Sequence, residues 1–317
     1  MATQTQAVFI GIDVSKAELA ISGCSDGRIE AVANTKTAVR RWLRSLPPGA
    51  AIAVEATGIY HRLVVDEAHG LGHRVYLLDG YKLNRYRDAV GQRAKTDPTD
   101  ARLIRRYLIN EHSNLVPWTP PPAAYTRLYQ LLSRRAVLVQ ARDAVRQSCE
   151  DLPVLKASAG AMLRSQARFI ALIDKQIVVE INKAGWSADY RRLQAIEGIG
   201  PMIAAALVTA FHRGAFKSPD ALVAFLGLDV RVRDSGKHSG KRKLTKKGPA
   251  EYRRLLYMAA MTASRSASWK PYYQHQLARG KTPTEAFVIL ARKLTRVAYA
   301  LMAKQTEYRP AANRQAA

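Results

Sequence analysis

Four prolines in six residues, Pro117-Trp118-Thr119-Pro120-Pro121-Pro122, cut this chain in two. Proline lacks the backbone N–H and fixes φ, so neither a helix nor a central strand propagates through such a run, which reads as a rigid linker. The pattern before it is rich in strands. Ala7 to Asp13 is a β-branched apolar run, Glu18 to Ser22 follows a tight polar turn, and Arg28 to Ala33 supplies a third short strand. A helix over Thr37–Ser45, a strand over Ala51–Glu55, a helix over Ile59–Gly70 and a strand over Arg74–Leu78 come next. A β-meander followed by alternating α and β units predicts a mixed sheet with helices packed on it.

The pattern after the prolines is helical. Tyr125, Leu128, Leu132 and Val139, then Leu163, Phe169, Ile170, Ile173, Ile177 and Ile181, recur at helical spacing among Arg and Gln. That spacing predicts two long amphipathic helices, as an antiparallel arm, a bundle or a coiled coil. A second shift in composition at Gly185-Trp186 leads into a last segment that is also helical, interrupted by a glycine-punctuated basic loop from Arg231 to Gly248. The domains expected are therefore residues 1–118, 119–185 and 186–317, an α/β domain followed by α domains.

Charge separates these segments. The 317 residues hold 50 Lys+Arg against 25 Asp+Glu, and the excess is +4 over 1–116, +4 over 117–190 and +17 over 191–317. The last third is built to meet a polyanion, a nucleic acid or an anionic membrane surface. With 48% apolar residues the chain can bury a core, which excludes wholesale disorder and fibrous repeats. No stretch approaches the 18 or so uninterrupted apolar residues of a membrane span, and the first residues lack a signal peptide's basic and apolar regions. Cys24 and Cys149 are too few for a disulfide framework or a four-thiolate zinc site, and His61, His69, His73, His112, His212 and His275 show no ligand spacing. A cytoplasmic protein, associated with the nucleoid when active, is expected.

Three constellations can carry chemistry. The first is acidic: Asp13 in Gly-Ile-Asp-Val-Ser, Glu55 in Val-Glu-Ala-Thr-Gly, and Asp97 with Asp100 in Lys-Thr-Asp-Pro-Thr-Asp-Ala. Asp13 and Glu55 end apolar strands, where a carboxylate emerges at the sheet rim, and Asp97 and Asp100 share one face of a helix start. Four carboxylates brought together repel one another unless divalent cations sit between them, and oxygen-only ligands suit Mg²⁺ or Mn²⁺. Taken alone, Asp97-Pro98 also makes a good N-cap and first helical residue.

The second is Ile196-Glu-Gly198-Ile-Gly200-Pro201, a helix-hairpin-helix-like turn whose free amides can hold a DNA phosphate; an ordinary glycine C-cap is the alternative. The third is the basic loop, with ten Lys+Arg among residues 231–254. It offers Arg231, Arg233, Lys237, Lys241, Arg242, Lys243, Lys246 and Lys247 to phosphates. It is not a Walker A loop, because three residues rather than four separate Gly236 from Gly240-Lys241, and Arg242 stands where Ser or Thr would bind the metal. Ser235 and Ser239, flanked by glycines and cations, are the possible nucleophiles. Further on, Thr282-Pro-Thr-Glu285 is a capping box that opens a closing amphipathic helix, and Tyr272 and Tyr273 are expected in the core rather than stacked on bases.

These motifs occur together and in order: Gly11-Ile-Asp-Val-Ser-Lys16, Val54-Glu-Ala-Thr-Gly58, Lys95-Thr-Asp-Pro-Thr-Asp-Ala101, Gly198-Ile-Gly-Pro201, Leu226-Gly-Leu228 with Ser235-Gly236, and Arg253-Arg-Leu-Leu-Tyr-Met-Ala-Ala260. The set resembles a DEDD transposase of the insertion-sequence one-ten family, related to the Piv-type DNA invertases, over residues 8–303. The resemblance implies a RuvC-like, ribonuclease-H-fold domain holding Mg²⁺ (or Mn²⁺) through Asp13, Glu55, Asp97 and Asp100. It further implies a coiled-coil middle and a C-terminal transposase domain that contributes a catalytic serine. It also implies strand exchange between double-stranded donor and target DNA through a phosphoserine, guidance by a bridge RNA, and a homo-oligomer, a dimer or an active tetramer. By position relative to Gly227-Leu228 and Thr245-Lys246 the family serine falls on Ser235, with Ser239 the alternative. The family's Pro-Arg is Val230-Arg231 here, and its Ser-Ser-Gly is Asp234-Ser235-Gly236.

The rival readings are a metal-dependent nuclease or Holliday-junction-resolvase-like enzyme with a structural Ser235, a sugar kinase of the ribonuclease-H superfamily, and a non-enzymatic nucleic-acid scaffold. The +17 of the last third has no use in a kinase.

Overall fold

A computed structural model of the chain describes residues 8–23, 28–56, 58–92, 96–231, 234–235, 238–239 and 242–310, with backbone alone at 234–235 and 238–239. Two units divide at the prolines, Met1–Pro120 and Pro121–Ala317.

The first unit is a five-stranded mixed sheet. Strands β1 (Phe9–Val14), β2 (Glu18–Ser22), β3 (Ile29–Ala33), β4 (Ala51–Glu55) and β5 (Arg74–Leu78) lie in the order β3-β2-β1-β4-β5. The β3-β2-β1 part is antiparallel and the β1-β4-β5 part parallel. The meander and the α/β alternation expected from the sequence both form. Successive side chains on a strand point to opposite faces. On one face Ile10, Ile12, Ile52, Val54 and Val75 form a core with Val39 and Leu43 of α1 (Lys36–Ser45) and Val64 and Val65 of α2 (Arg62–Gly70). On the other, the central strands carry small residues: Ala51 and Ala53 are fully buried beneath Leu83 of α3 (Gly80–Ala89) and Leu103, Ile104 and Leu108 of α4 (Asp97–Glu111), with Tyr76 and Leu78 of β5 beside them.

Small side chains there let α4 lie directly on the sheet. A β-carbon added at Gly11 would stand 2.3 Å from the Arg105 nitrogen and 2.4 Å from the Ala101 carbonyl oxygen, so only glycine fits under this helix. Arg105 Nε reinforces the contact by donating to the Phe9 carbonyl at 2.9 Å. The linker is anchored as well: the Trp118 N–H donates to the Val75 carbonyl at 2.7 Å, and its indole meets His69 edge to face.

In the second unit, α5 (Ala123–Ser148) and α6 (Lys156–Lys183) form a helical hairpin. Ion pairs Arg127–Glu180 at 2.7 Å and Arg135–Asp174 fix the antiparallel direction, because the partner number falls as the residue number rises. Leu128, Leu132, Ile173, Ile177 and Ile181 at the base of the hairpin share one core with the C-terminal helices. These are α7 (Ser187–Gln194), α8 (Pro201–Phe211), α9 (Pro219–Phe225), α10 (Ala250–Ala263), α11 (Lys270–Ala278) and α12 (Pro283–Lys304). The capping box predicted at α12 forms, with the Thr282 N–H donating to Glu285 Oε2 at 3.0 Å and the Glu285 N–H to Thr282 Oγ1 at 3.3 Å. Tyr273 stacks on Phe287 with ring centroids 4.8 Å apart, a packing role.

The turn between α7 and α8 is set by close packing on α10. Gly198 has φ +90°, and a β-carbon on it would stand 2.6 Å from the Ala259 carbonyl oxygen and 2.7 Å from Ala263 Cβ. Gly198→Ala is therefore expected to destabilise the fold by about 2–4 kcal/mol, from left-handed backbone strain plus overpacking. Gly200→Ala, where nothing lies within 4 Å, serves as the control with little change. Chemical denaturation compares the two, and equal midpoints would refute the packing assignment.

Candidate functional site

The acidic residues come together because of strand parity. Gly11 and Asp13 lie two apart on β1, and Ala53 and Glu55 two apart on β4, so both acids share the small-residue face that carries α4. β1 and β4 run parallel with Ile12 opposite Val54, which sets Asp13 and Glu55 side by side one residue further on. Gly11 touches α4 at Ala101 and Arg105, and the helix N-terminus then projects past the strand ends, bringing Asp100 and Asp97 toward them.

Electrostatics report the convergence. The Asp13 carboxyl is pushed up to about 6, first by burial and then by the negative charges of Asp97, Asp100 and Glu55. The start of α3 packs closely on Glu55: a β-carbon at Gly80 would come within 2.4 Å of Glu55 Oε1. The Asp79 side chain caps that helix, accepting from the Lys82 N–H at 3.0 Å.

Asp100 is buried and paired with the nearly buried Arg87 at 2.8 Å, and Arg87 also donates to Asn84 at 2.8 Å. Asp97, by contrast, is exposed and stands at the first helical position rather than as the N-cap that the isolated Asp-Pro suggested. Thr96 takes the cap, its N–H donating to Thr99 Oγ1 at 3.0 Å. The Thr96–Thr99 pair closes the turn and leaves Asp97 out of the cap.

Among the described residues no three His, Cys, Asp or Glu side chains are arranged to hold a metal ion as they stand. The donor set nonetheless fits a hard divalent cation, since all four groups are carboxylates and the half-buried Asp13 feels the negative charges of the other three. The histidines have other tasks. His73 Nε2 lies 3.1 Å from the Leu43 carbonyl, His112 Nε2 3.0 Å from the Tyr76 hydroxyl, and His212 Nε2 3.0 Å from Asp189 Oδ2.

The basic loop stands on a pinned base. β6 (Val230–Arg231) pairs with β9 (Lys243–Leu244), and inside them β7 (Asp234–Ser235) pairs with β8 (His238–Ser239), both antiparallel. Ser235 is opposite His238 and Ser239 opposite Asp234, so the two serines sit on different strands of one ribbon. The legs are tied by Thr245, whose hydroxyl bonds the Asp229 carboxylate and whose N–H donates to the Asp229 carbonyl at 2.9 Å. Arg253 Nη1 donates to the Gly248 carbonyl at 2.6 Å, and a β-carbon on Gly248 would lie 2.3 Å from the Phe225 carbonyl oxygen. Arg231, Arg242, Lys243, Lys246 and Lys247 are exposed. Arg233, Lys237 and Lys241 lie outside the described residues.

Two family models match the chain in tandem. A DEDD transposase model of the IS110 type covers residues 10–153, which hold all four acids, and the transposase model of the IS116/IS110/IS902 family covers 190–274, which hold both serines. The chain belongs to the IS110 transposase family. The transposase is 28% identical over 258 residues to the pilin gene-inverting protein of Moraxella lacunata, covering 79% of each chain. It is 26% identical to a probable family 20 transposase of Pseudomonas aeruginosa, covering 95% of this chain and 98% of the relative. A 42 kDa protein of the insertion element IS900 from Mycobacterium paratuberculosis is 31% identical over 39% of this chain and 32% of its own.

Sequence reasoning missed three residues of the transposase's acid site: Arg87, Gly11 as the seat of α4, and Gly80 beside Glu55. Arg87 is one of several cations in a helix with no mark to single it out. Gly11 and Gly80 did carry a signal, each being a glycine within three residues of an acid or a cap in otherwise regular structure. In the helix-hairpin-helix-like turn, Gly198 is turned against α10, whereas Gly200 is exposed at the N-terminus of α8. Among the described residues no helix is long and apolar enough to cross a membrane.

Proposed function

We propose that this transposase cuts and rejoins double-stranded donor and target DNA through a phosphoserine on Ser235, assisted by a divalent cation at the acid site. The observation that carries the reading is the gathering of Asp13, Glu55, Asp97 and Asp100 at one end of a mixed sheet, within a family of transposases. The strand order, an antiparallel meander joined to parallel α/β units, supports a RuvC-like ribonuclease-H fold for this unit.

Asp13, Glu55, Asp97 and Asp100 would hold Mg²⁺ or Mn²⁺. When bound, the ion supplies counter-charge for the phosphate. Ser235 Oγ attacks a DNA phosphorus, the bond from phosphorus to one sugar oxygen breaks, and that oxygen takes up a proton and leaves as a hydroxyl. The phosphodiester is replaced by a phosphoserine ester of similar energy, so a DNA hydroxyl can later displace Ser235 and restore the serine proton without net hydrolysis. Arg231, Arg233, Lys237, Lys241, Arg242, Lys243, Lys246 and Lys247 neutralise backbone phosphates, and the exposed amides at Gly200 receive another. Gly198 fixes the turn that presents them.

Assembly is assigned to the hairpin of α5 and α6, whose Val137, Met162, Phe169 and Leu172 are all more than half exposed. Apolar side chains on two sides of a helix pair favour a coiled-coil contact between copies, as a dimer or a tetramer. Target choice is assigned to a bridge RNA, because the basic ribbon offers charge without an evident major-groove reading helix. Sequencing the RNA that co-purifies with the protein tests this. A single non-coding transcript from DNA flanking its own gene is expected, and random cellular RNA would overturn it.

A further inference from the structure

A second feature of the basic loop lies at its base rather than its tip. Between the β6–β9 pair and α12 the protein forms an open pocket of about 450 Å³, within the roughly 300–1,000 Å³ range of small-ligand sites. Val230 and Leu244, which face each other across the strand pair, make its floor together with Val288 and Ile289 of α12. Its rim is cationic, with Arg242, Lys243, Lys281 and Arg292. Glu285 is the acidic residue of the lining, and its carboxylate is already committed to the Thr282 cap.

Arg292 shows what is missing. Among the described residues it forms no ion pair, and its Nε is buried without a hydrogen-bond partner. Burial and the neighbouring Arg296 push its pKa down, against the weaker pull of Asp220, Asp229 and Tyr272, while Asp220 is itself paired with Arg296 at 2.7 Å. A half-buried guanidinium without a carboxylate partner calls for an outside anion, and the apolar floor beside it calls for a flat, weakly polar body. A nucleotide offers both.

The position of the pocket selects the strand. Val230 and Leu244 are the roots of the two legs that carry the Ser235 ribbon, and the four residues from Arg231 to Ser235 span at most ~13 Å. A DNA strand whose phosphate reaches Ser235 therefore passes the pocket within its next nucleotides. During exchange, bases beside a break must leave one partner before pairing with another, and an unstacked base needs shelter from water.

Resting on the Ser235 reading, we propose that this pocket receives one unpaired nucleotide of the DNA strand, its base on Val230, Leu244, Val288 and Ile289 and its phosphate on Arg292. The test compares binding of the full chain, by fluorescence anisotropy at fixed salt, to a short DNA duplex with a single-thymine bulge and to the same duplex fully paired. The wild type is expected to prefer the bulge about tenfold, the size of one base's stacking or burial. Val288→Trp, which fills the pocket, and Arg292→Met, which removes the anchor, are expected to bring both duplexes to parity while affinity for the paired duplex changes less than about threefold. If Val288→Trp fails to fold by circular dichroism, Arg292→Met decides.

Absence of preference in the wild type, or its survival in a folded variant, overturns the proposal, as does a stronger preference for the same bulge in RNA. Ser235→Ala should retain the tenfold preference. An error in the nucleophile would thus leave this result standing, and an error in the pocket would leave Ser235-dependent rejoining intact.

Discussion

Ser235→Ala is expected to lower recombination by at least about 10⁴-fold, the scale on which loss of a covalent nucleophile acts, while DNA affinity stays within a fewfold of wild type. Ser235 stands beside Ser239 on one antiparallel ribbon and differs from it in facing His238 across the pair, so Ser239→Ala is the natural comparison. The measurement is a denaturing gel that traps protein covalently joined to a labelled DNA end. The adduct should vanish in Ser235→Ala and persist in Ser239→Ala. The reverse pattern would move the nucleophile to Ser239, and cleavage by Ser235→Ala at the wild-type rate would restore the metal-dependent nuclease.

Asp13→Asn should separate function from stability. Recombination is expected to fall by about 10³-fold or more, because an amide cannot supply the charge that binds a divalent cation. The fold should gain. The carboxyl of Asp13 rises from 3.8 to about 6 in the folded chain, so between those values the folded state binds more protons than the unfolded state. Stability from this group is thus full below about pH 4, declines as pH rises through about 6, and stays low above it. In metal-free protein at pH 7, Asp13→Asn should be more stable by about 1–2 kcal/mol, after discounting for solvent around a partly buried group. The gain should disappear at pH 4. Thermal melts at the two pH values check the sign, and millimolar Mg²⁺ should raise the melting temperature of the wild type only. A less stable variant at pH 7 would mean that Asp13 is satisfied by its surroundings.

Much of this was legible where a simple period governs. Short apolar runs marked β1, β4 and β5, helical spacing marked α5 and α6, and the Thr282–Glu285 pair marked the start of α12. The four acids were readable as strand-end and helix-start residues, but their meeting depends on the small face under α4, which no single residue announces. The ribbon strands escaped because two-residue strands have no period to detect, and the sequence suggests only a loop. The first turn of α2 escaped as well: a helix over Ile59–Gly70 is expected, yet regular helix begins at Arg62 after Gly58 at φ +57°. Likewise the hairpin reads as a segment of its own, although the buried leucines and isoleucines at its base belong to the C-terminal core.

Gly11 gives the acid site a property that its own residues lack. The gap between strand and helix is gauged by a hydrogen where every other amino acid carries carbon, so the span from Asp13 to Asp100 is set at a position that has no side chain of its own. Any larger residue at position 11 would push α4 off the sheet and spread the acids apart, leaving every carboxylate in the sequence untouched.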